Sequence, residues 1–323
     1  MPPNFAQLIM NQVFKSKICA WVVSELPSLV ELGKGRSLVI DYDGLPMQWH
    51  AGDVQPTIRT GHICTGESDV KFCQYLNPGQ TLLCDSVDGD YVIIALCQIA
   101  KALAANETPP NILIRRLEIK TAAEKRKRSG PDSEGATRRQ YEIVDVNMVF
   151  KVLSIEIRKR IPRATKGLEI PIFSYLVALT GCDFCQGIPR CGPLTIWKNL
   201  EKIWPCLEAA YDSTTKEFNV SQVGNKVIAP LLYGVYKKHA GAASGQDLSR
   251  LLSALKNSKS LSEKARSDLA TVADIACVVR NSNWTLRYWQ DAPTAPSSAQ
   301  IQYGFSVKKN GDIERDPNAV LGL

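Results

Sequence analysis

Histidine is scarce in this sequence, three in 323 residues, and no apolar run approaches the roughly 18 to 20 residues that a membrane-spanning helix takes. No membrane-spanning helix is therefore expected. The start, Met1 to Cys19, lacks the short apolar block of a secretory signal. It also lacks acid before Glu25 and any arginine, and Lys15 and Lys17 alone argue poorly for an organellar presequence. Ten cysteines do not make a dense disulfide framework, and several, Cys84, Cys97 and Cys277 among them, lie in apolar stretches where they read as small core residues. There is no internal repeat. These absences point to a soluble chain in a reducing, intracellular compartment.

What remains is an ordinary globular composition, 45% hydrophobic and 22% charged, with a net charge of +7. That is compatible with a polyanionic partner without demonstrating one. Helical spacing covers Ala20 to Val30, Gly33-Lys-Gly-Arg36 breaks it, and Ser37 to Asp41 reads as a short strand. Residues 44 to 66 read as loop or irregular structure. A helix is expected from Glu67 to Leu76, a buried strand from Thr81 to Val87, a buried helix from Tyr91 to Ala105 and a strand from Asn111 to Lys120. Residues 121 to 140 are basic and polar around Lys125-Arg-Lys-Arg128, which predicts a mobile linker and, as a basic run, favours a nuclear address over mitochondrion or cytoplasm. Helical spacing resumes over Tyr141 to Arg160 and Ile170 to Thr180. It continues from Pro193 to Tyr288, broken near 212 to 221 and at Gly241 to Gly245, and Tyr303 to Arg315 predicts a terminal hairpin. The fold class expected is α/β with a mostly helical second half.

Acids collect at element ends: Glu67-Ser-Asp69, Asp88-Gly-Asp90 and Cys182-Asp183. Asp88 and Asp90 are expected to leave a strand end on one side of it. Glu67 and Asp69 converge only if Glu67 stands at a helix entrance. Each group alone also reads as a cap or turn. Converging carboxylates repel unless cations neutralise them, and hard oxygen ligands select Mg²⁺ or Mn²⁺. A zinc site at Cys182, Cys185 and Cys191 is not expected, since no second cysteine pair or nearby histidine completes it. His50 and His62 read as ordinary surface residues, and Trp284, Tyr288 and Trp289 as core rather than a base-stacking platform.

These motifs carry a resemblance. Glu67-Ser-Asp69 resembles the Glu-Ala-Glu or Glu-Ala-Asp motif of the XPG/flap-endonuclease family, and Ser86-Val-Asp88-Gly-Asp90 is similar to its strand-ending Asp-x-Asp. Leu179-Thr-Gly-Cys-Asp-Phe-Cys-Gln-Gly-Ile-Pro-Arg-Cys-Gly-Pro193 resembles its Gly-Cys-Asp-Tyr segment followed by Gly-Ile-x-Gly-Ile-Gly-Pro. The resemblance spans roughly residues 37 to 204, in the family's order. It implies a PIN-like parallel-sheet core over 1 to 204, closing in a helix-two-turn-helix at about 176 to 204, with a helical extension over 205 to 323.

Physically, Gly187 to Pro193 reads as a tight turn, Pro193 suits the first turn of a helix running through Trp197 and Leu200, and Lys198 and Lys202 would add charge along it. The resemblance makes Gly187, Gly192 and Pro193 duplex-binding positions, with a K⁺ ion bound nearby. Arg190 stands where the family has glycine, and either perturbs the turn or contacts phosphate. The chemistry implied is two-metal hydrolysis of phosphodiesters in branched or flap DNA, less so RNA, leaving 5′-phosphate and 3′-hydroxyl. Glu67, Asp69, Asp88, Asp90 and Asp183 would be the ligands, and Asp41 a further candidate. The family has further Asp-bearing segments and a helical arch before its Glu motif, and only sixty-six residues precede Glu67. Val39-Ile-Asp41-Tyr-Asp43 stands in either for the family's first Asp strand or for the later strand before the Glu motif. Under the second reading two metal ligands and the phosphate-gripping bases are missing, and a protein partner would have to supply them. The competing function is a nucleic-acid-binding or scaffold protein that keeps the fold without turnover.

Overall fold

The computed structural model describes residues 12–29, 36–42, 45–59, 68–86, 88–117, 141–182, 185–243, 245–291, 305–307 and 313–315. The described residues form an α/β fold, about 58% of them helix, with small mixed sheets, so helices supply most of the core. It divides into two compact units: residues 1–67 with 293–317, and residues 68–292 with 318–323.

In the first unit, helix α1 (Gln12–Leu29) precedes a meander of β1 (Ser37–Tyr42), β2 (Leu45–His50) and β3 (Thr57–Ile58), all antiparallel. Residues 45–50, expected to be loop, are thus a strand, and Tyr42 pairs with Leu45 across a two-residue connection. Asp43-Gly44 at that connection is the hairpin signal. Asp41 lies opposite Pro46 in this hairpin, a different setting from the strand of a parallel nuclease sheet expected for it.

The second unit opens with α2 (Ser68–Lys71) and a 3₁₀ turn (Phe72–Tyr75), followed by β4 (Thr81–Asp85), α3 (Asp90–Ala104), β5 (Asn111–Leu117), β6 (Tyr141–Asp145) and α4 (Val146–Arg160). β4 pairs with β5 in parallel, as a β–α–β crossover through α3 requires. The parallel sheet expected stops there, because β6 joins β5 antiparallel. Residues 141–145 are strand rather than the start of a helix, and they pass into α4 without a loop: the Asp145 carboxylate accepts the Met148 N–H at 3.0 Å and caps the helix. Cys84, Ile112 and Ile114 bury one face of this sheet. The other face displays Leu83, Tyr141 and Ile143, each about half or more exposed, so the strand expected to be buried is covered on one side only. The linker 121–140 and the Glu67 end of the expected helix fall outside the described residues.

α5 (Glu169–Thr180) is buried nearly all round, through Ile170, Ile172, Tyr175, Leu176, Ala178 and Leu179, which makes it the central helix of the unit. Beyond it come α6 (Pro193–Lys198), α7 (Leu200–Ala210), the small hairpin β7 (Tyr211–Asp212) and β8 (Glu217–Phe218), and α8 (Val220–Val223). α8 runs through a π-helical turn into α9 (Ala229–Tyr236), and α10 (Leu248–Lys256), α11 (Glu263–Ser267) and α12 (Val272–Asp291) follow. α12 packs along α3 and α5, so the helices after residue 204 share a core with the strands before it. Trp284, Tyr288 and Trp289 are core, with Trp284 stacked on Tyr288 at 5.2 Å. Cys84 and Cys97 are buried as expected, whereas Cys277 is exposed. β9 (Phe305–Val307) and β10 (Ile313–Arg315) pair antiparallel, the terminal hairpin expected at 303 to 315.

Candidate functional site

The acidic corner forms where β4 gives way to α3. β4 ends at Asp85, so Asp88 and Asp90 do not both leave the strand: Asp88 sits in the connection and Asp90 is the first residue of α3. The Asp88 backbone N–H donates to Ser86 Oγ at 3.1 Å, and Asp88 Oδ1 accepts the Asp90 N–H at 2.9 Å. Asp88 therefore ties off a helix entrance, and Asp90 places negative charge against the first turn, where the helix dipole favours it. Both are half-buried. Asp88 keeps its second oxygen for other work, since a carboxylate has several acceptor sites.

The other expected ligands do not complete this corner among the described residues. Asp69 lies within α2, Glu67 and Asp183 lie outside the described residues, and Asp41 belongs to the other unit. Among the described residues, no three of His, Cys, Asp and Glu gather in a way that would hold a metal ion, and this covers Cys182, Cys185 and Cys191 as well. The acid that does terminate β4, Asp85, was missed by the sequence reading. It pairs with Arg115 directly across the ladder, and Arg115 lies over the Tyr141 ring at 5.0 Å. The guanidinium holds the Asp85 carboxyl below its ordinary range. Parity along β4 and β5 gives the shared face, but only the register of the ladder makes these two residues partners.

The segment between α5 and α6 is the best-formed part of the candidate site. α5 ends at Gly181 with φ of +98°, a conformation glycine reaches without strain. The chain then folds back: Cys182 and Cys185 exchange backbone hydrogen bonds of 3.0 and 3.2 Å, and the Ile188 N–H reaches the Leu179 carbonyl at 3.0 Å. Gly187 lies so close to the end of α5 that a Cβ there would stand 2.2 Å from the Thr180 oxygen, so no other residue fits unless the backbone moves. Arg190 is left-handed at φ +63°, which explains why glycine suits the equivalent place in the resembling motif. Gly192 has an ordinary extended backbone with open space around it, so its need for glycine is not steric. Its carbonyl accepts from Thr195 and Ile196, and Pro193 takes the first helical position, as expected. The helix expected to run through Leu200 stops at Asn199 and restarts as α7.

Cations stand on this turn and on the two helices that follow it. Arg190, Lys198 and Lys202 are exposed, and the Arg190 guanidinium lies 6.0 Å from the Tyr236 ring. The last turn of α4 adds Arg158, Lys159 and Arg160, which sequence reasoning passed over although three bases at a helix end are a visible signal. Arg160 stacks on Trp197 of α6 at 4.4 Å and donates to the Trp197 carbonyl at 3.3 Å. Arg158 has a structural task instead, binding Glu169, whose nearly buried carboxylate also accepts the Gly167 N–H at 2.7 Å. Comparison with protein families, curated proteins and solved structures finds no match to this chain.

Proposed function

We propose that this chain is a divalent-metal-dependent, structure-specific nuclease of XPG/flap-endonuclease type, with a PIN-like core that grips DNA through residues 181–202. The observation that carries the reading is the α5–α6 connection: a folded-back turn fixed by Gly181 and Gly187, with Arg190 exposed on it and Lys198 and Lys202 exposed on the two helices that follow. Such a rigid cationic turn holds backbone phosphates without reading bases. Asp88 and Asp90 supply hard oxygens at the end of a sheet that has a parallel pair, where α/β proteins place their working groups. A divalent cation bound there would acidify a water and stabilise the leaving oxygen. Asp69 and the undescribed Glu67 and Asp183 would share its coordination.

The second reading is a binding or scaffold protein without turnover. It is favoured by the bond that the Asp90 N–H donates to Asp88 Oδ1, which gives the acidic corner a structural purpose without a metal. Incubation with Mg²⁺ or Mn²⁺ and labelled flap, hairpin and linear DNA separates the two. Cleavage lost in both Asp88→Asn and Asp90→Asn supports the nuclease. Salt-sensitive binding with no cleavage under either ion supports the scaffold, and absence of binding as well removes both.

A further inference from the structure

α4 carries two apolar faces, and among the described residues only one of them is packed against the fold. Val146, Ser154 and Ile157 are buried against the unit. On the opposite side Met148, Val152 and Ile155 are 55%, 52% and 54% exposed. Spacings of four and three put these three side chains on one line along the helix, half a turn away from the buried line. Isolated apolar residues on a surface need no account, but an aligned row opposite the core is the seam of a helix pair. The row is flanked by Lys151 on one side and Glu156 on the other.

We infer that α4 is a self-association surface and that its occupant is α4 of a second copy of this chain, packed in parallel about a two-fold axis running along the helices. Charge decides the orientation. In a parallel pair the flanking position on one helix faces the residue five further on in the other, so Lys151 of each copy meets Glu156 of the second, twice. An antiparallel pair would set Lys151 against Lys151 and Glu156 against Glu156. Lys159, four residues beyond Ile155, continues the row and would face its own counterpart in a parallel pair; Glu156 holds it at 2.6 Å, so that carboxylate is shared between Lys159 of its own helix and Lys151 of the second copy. Because the seam lies opposite the core, the two bodies fall on opposite sides of the axis. A stable interface takes about 800 Å² from each partner. Three half-exposed side chains offer less, so the dimer is a weak one that forms as concentration rises. This inference is independent of the nucleic-acid reading.

Sedimentation velocity on the full chain, from low to high micromolar, tests it, with far-UV circular dichroism confirming that each variant is folded. The parent is expected to dimerise with concentration, and Val152→Glu to stay monomeric throughout. Lys151→Glu is expected to weaken dimerisation by roughly tenfold across its two symmetric pairs, and Lys151→Glu with Glu156→Lys to restore it. Ile155→Cys placed in a Cys19→Ser, Cys277→Ser background, with oxidised glutathione as oxidant, is expected to give a covalent dimer that the background alone does not give, since position 155 faces itself only in the parallel register. A parent that is monomeric at every concentration overturns the inference and leaves the seam to a different protein. A dimer that survives Val152→Glu, or a charge swap that fails to restore a folded double variant, overturns it equally.

Discussion

Asn283 of α12 clasps Phe218 of β8 through both halves of its amide: Oδ1 accepts the Phe218 N–H at 2.9 Å, and Nδ2 donates to the Phe218 carbonyl at 2.8 Å. Both residues are buried, and Phe218 in turn stacks on Tyr175 of α5 at 3.9 Å. Asn283→Leu keeps the volume and leaves two buried backbone groups unpaired. We expect a loss of about 3 kcal/mol, read as a lower urea midpoint at unchanged slope.

Asp88 can be asked separately about its cap and its charge. Asn accepts the same N–H, so Asp88→Asn should alter stability by under about 0.5 kcal/mol, whereas Asp88→Ala should cost about 1 kcal/mol. If cleavage falls equally in both while only the alanine variant is destabilised, the charge and not the cap serves the chemistry.

Arg190 offers a clean test of the turn. Glycine relieves the roughly 1 kcal/mol strain of a left-handed non-glycine residue, and its greater freedom in the unfolded chain offsets a similar amount. Arg190→Gly should therefore be nearly neutral in stability, and any fall in duplex affinity, with a shallower salt dependence, reports the guanidinium itself. Gly187→Ala should instead destabilise the turn and lose binding together.

Acid stability should follow the carboxylates held by specific donors. The Thr271 N–H and hydroxyl keep Asp274 below its ordinary 3.8, and the N–H groups of Thr214 and Thr215 do the same for Asp212. A carboxyl lowered by folding contributes fully above its unfolded value and loses that contribution as pH drops through the folded one. The melting temperature should thus be level near neutrality and fall below about pH 4. Asp212→Asn with Asp274→Asn should flatten that fall, which a melting series across pH 2 to 6 would show.

Burial pushes the thiols of Cys84 and Cys191 up to about 11 and that of Cys97 to about 12. Thiolate is the reactive form, so iodoacetamide at pH 8 should label exposed Cys19 and Cys277 first and leave these three until the protein unfolds. Peptide mass spectrometry against time gives the order.

Where apolar spacing stands alone, the sequence is easy to read: α3 and α5 fall within a residue or two of their expected bounds. It fails where one element runs into the next. Tyr141 to Asp145 alternates poorly and joins a helical pattern without punctuation, so strand and helix merge, although Asp145 ahead of an apolar helix is a capping signal. Residues 45–50 hide behind Pro46, which a two-residue hairpin tolerates. At the site, the Gly187 and Pro193 turn was legible because backbone geometry restricts residue choice. The carboxylates were not, because an acid at an element end caps a helix and binds a cation with equal ease. The pairing of Asp85 with Arg115 depends on strand register, which spacing along one segment does not carry.

The stacking of Arg160 on Trp197 ties the far end of α4 to α6. In the pair proposed along α4, both cationic turns would therefore stand at the same pole. If the turn grips DNA as proposed, a long duplex would meet two grips at once and be released only when both let go, while a short one would engage a single grip, so that affinity would climb with duplex length.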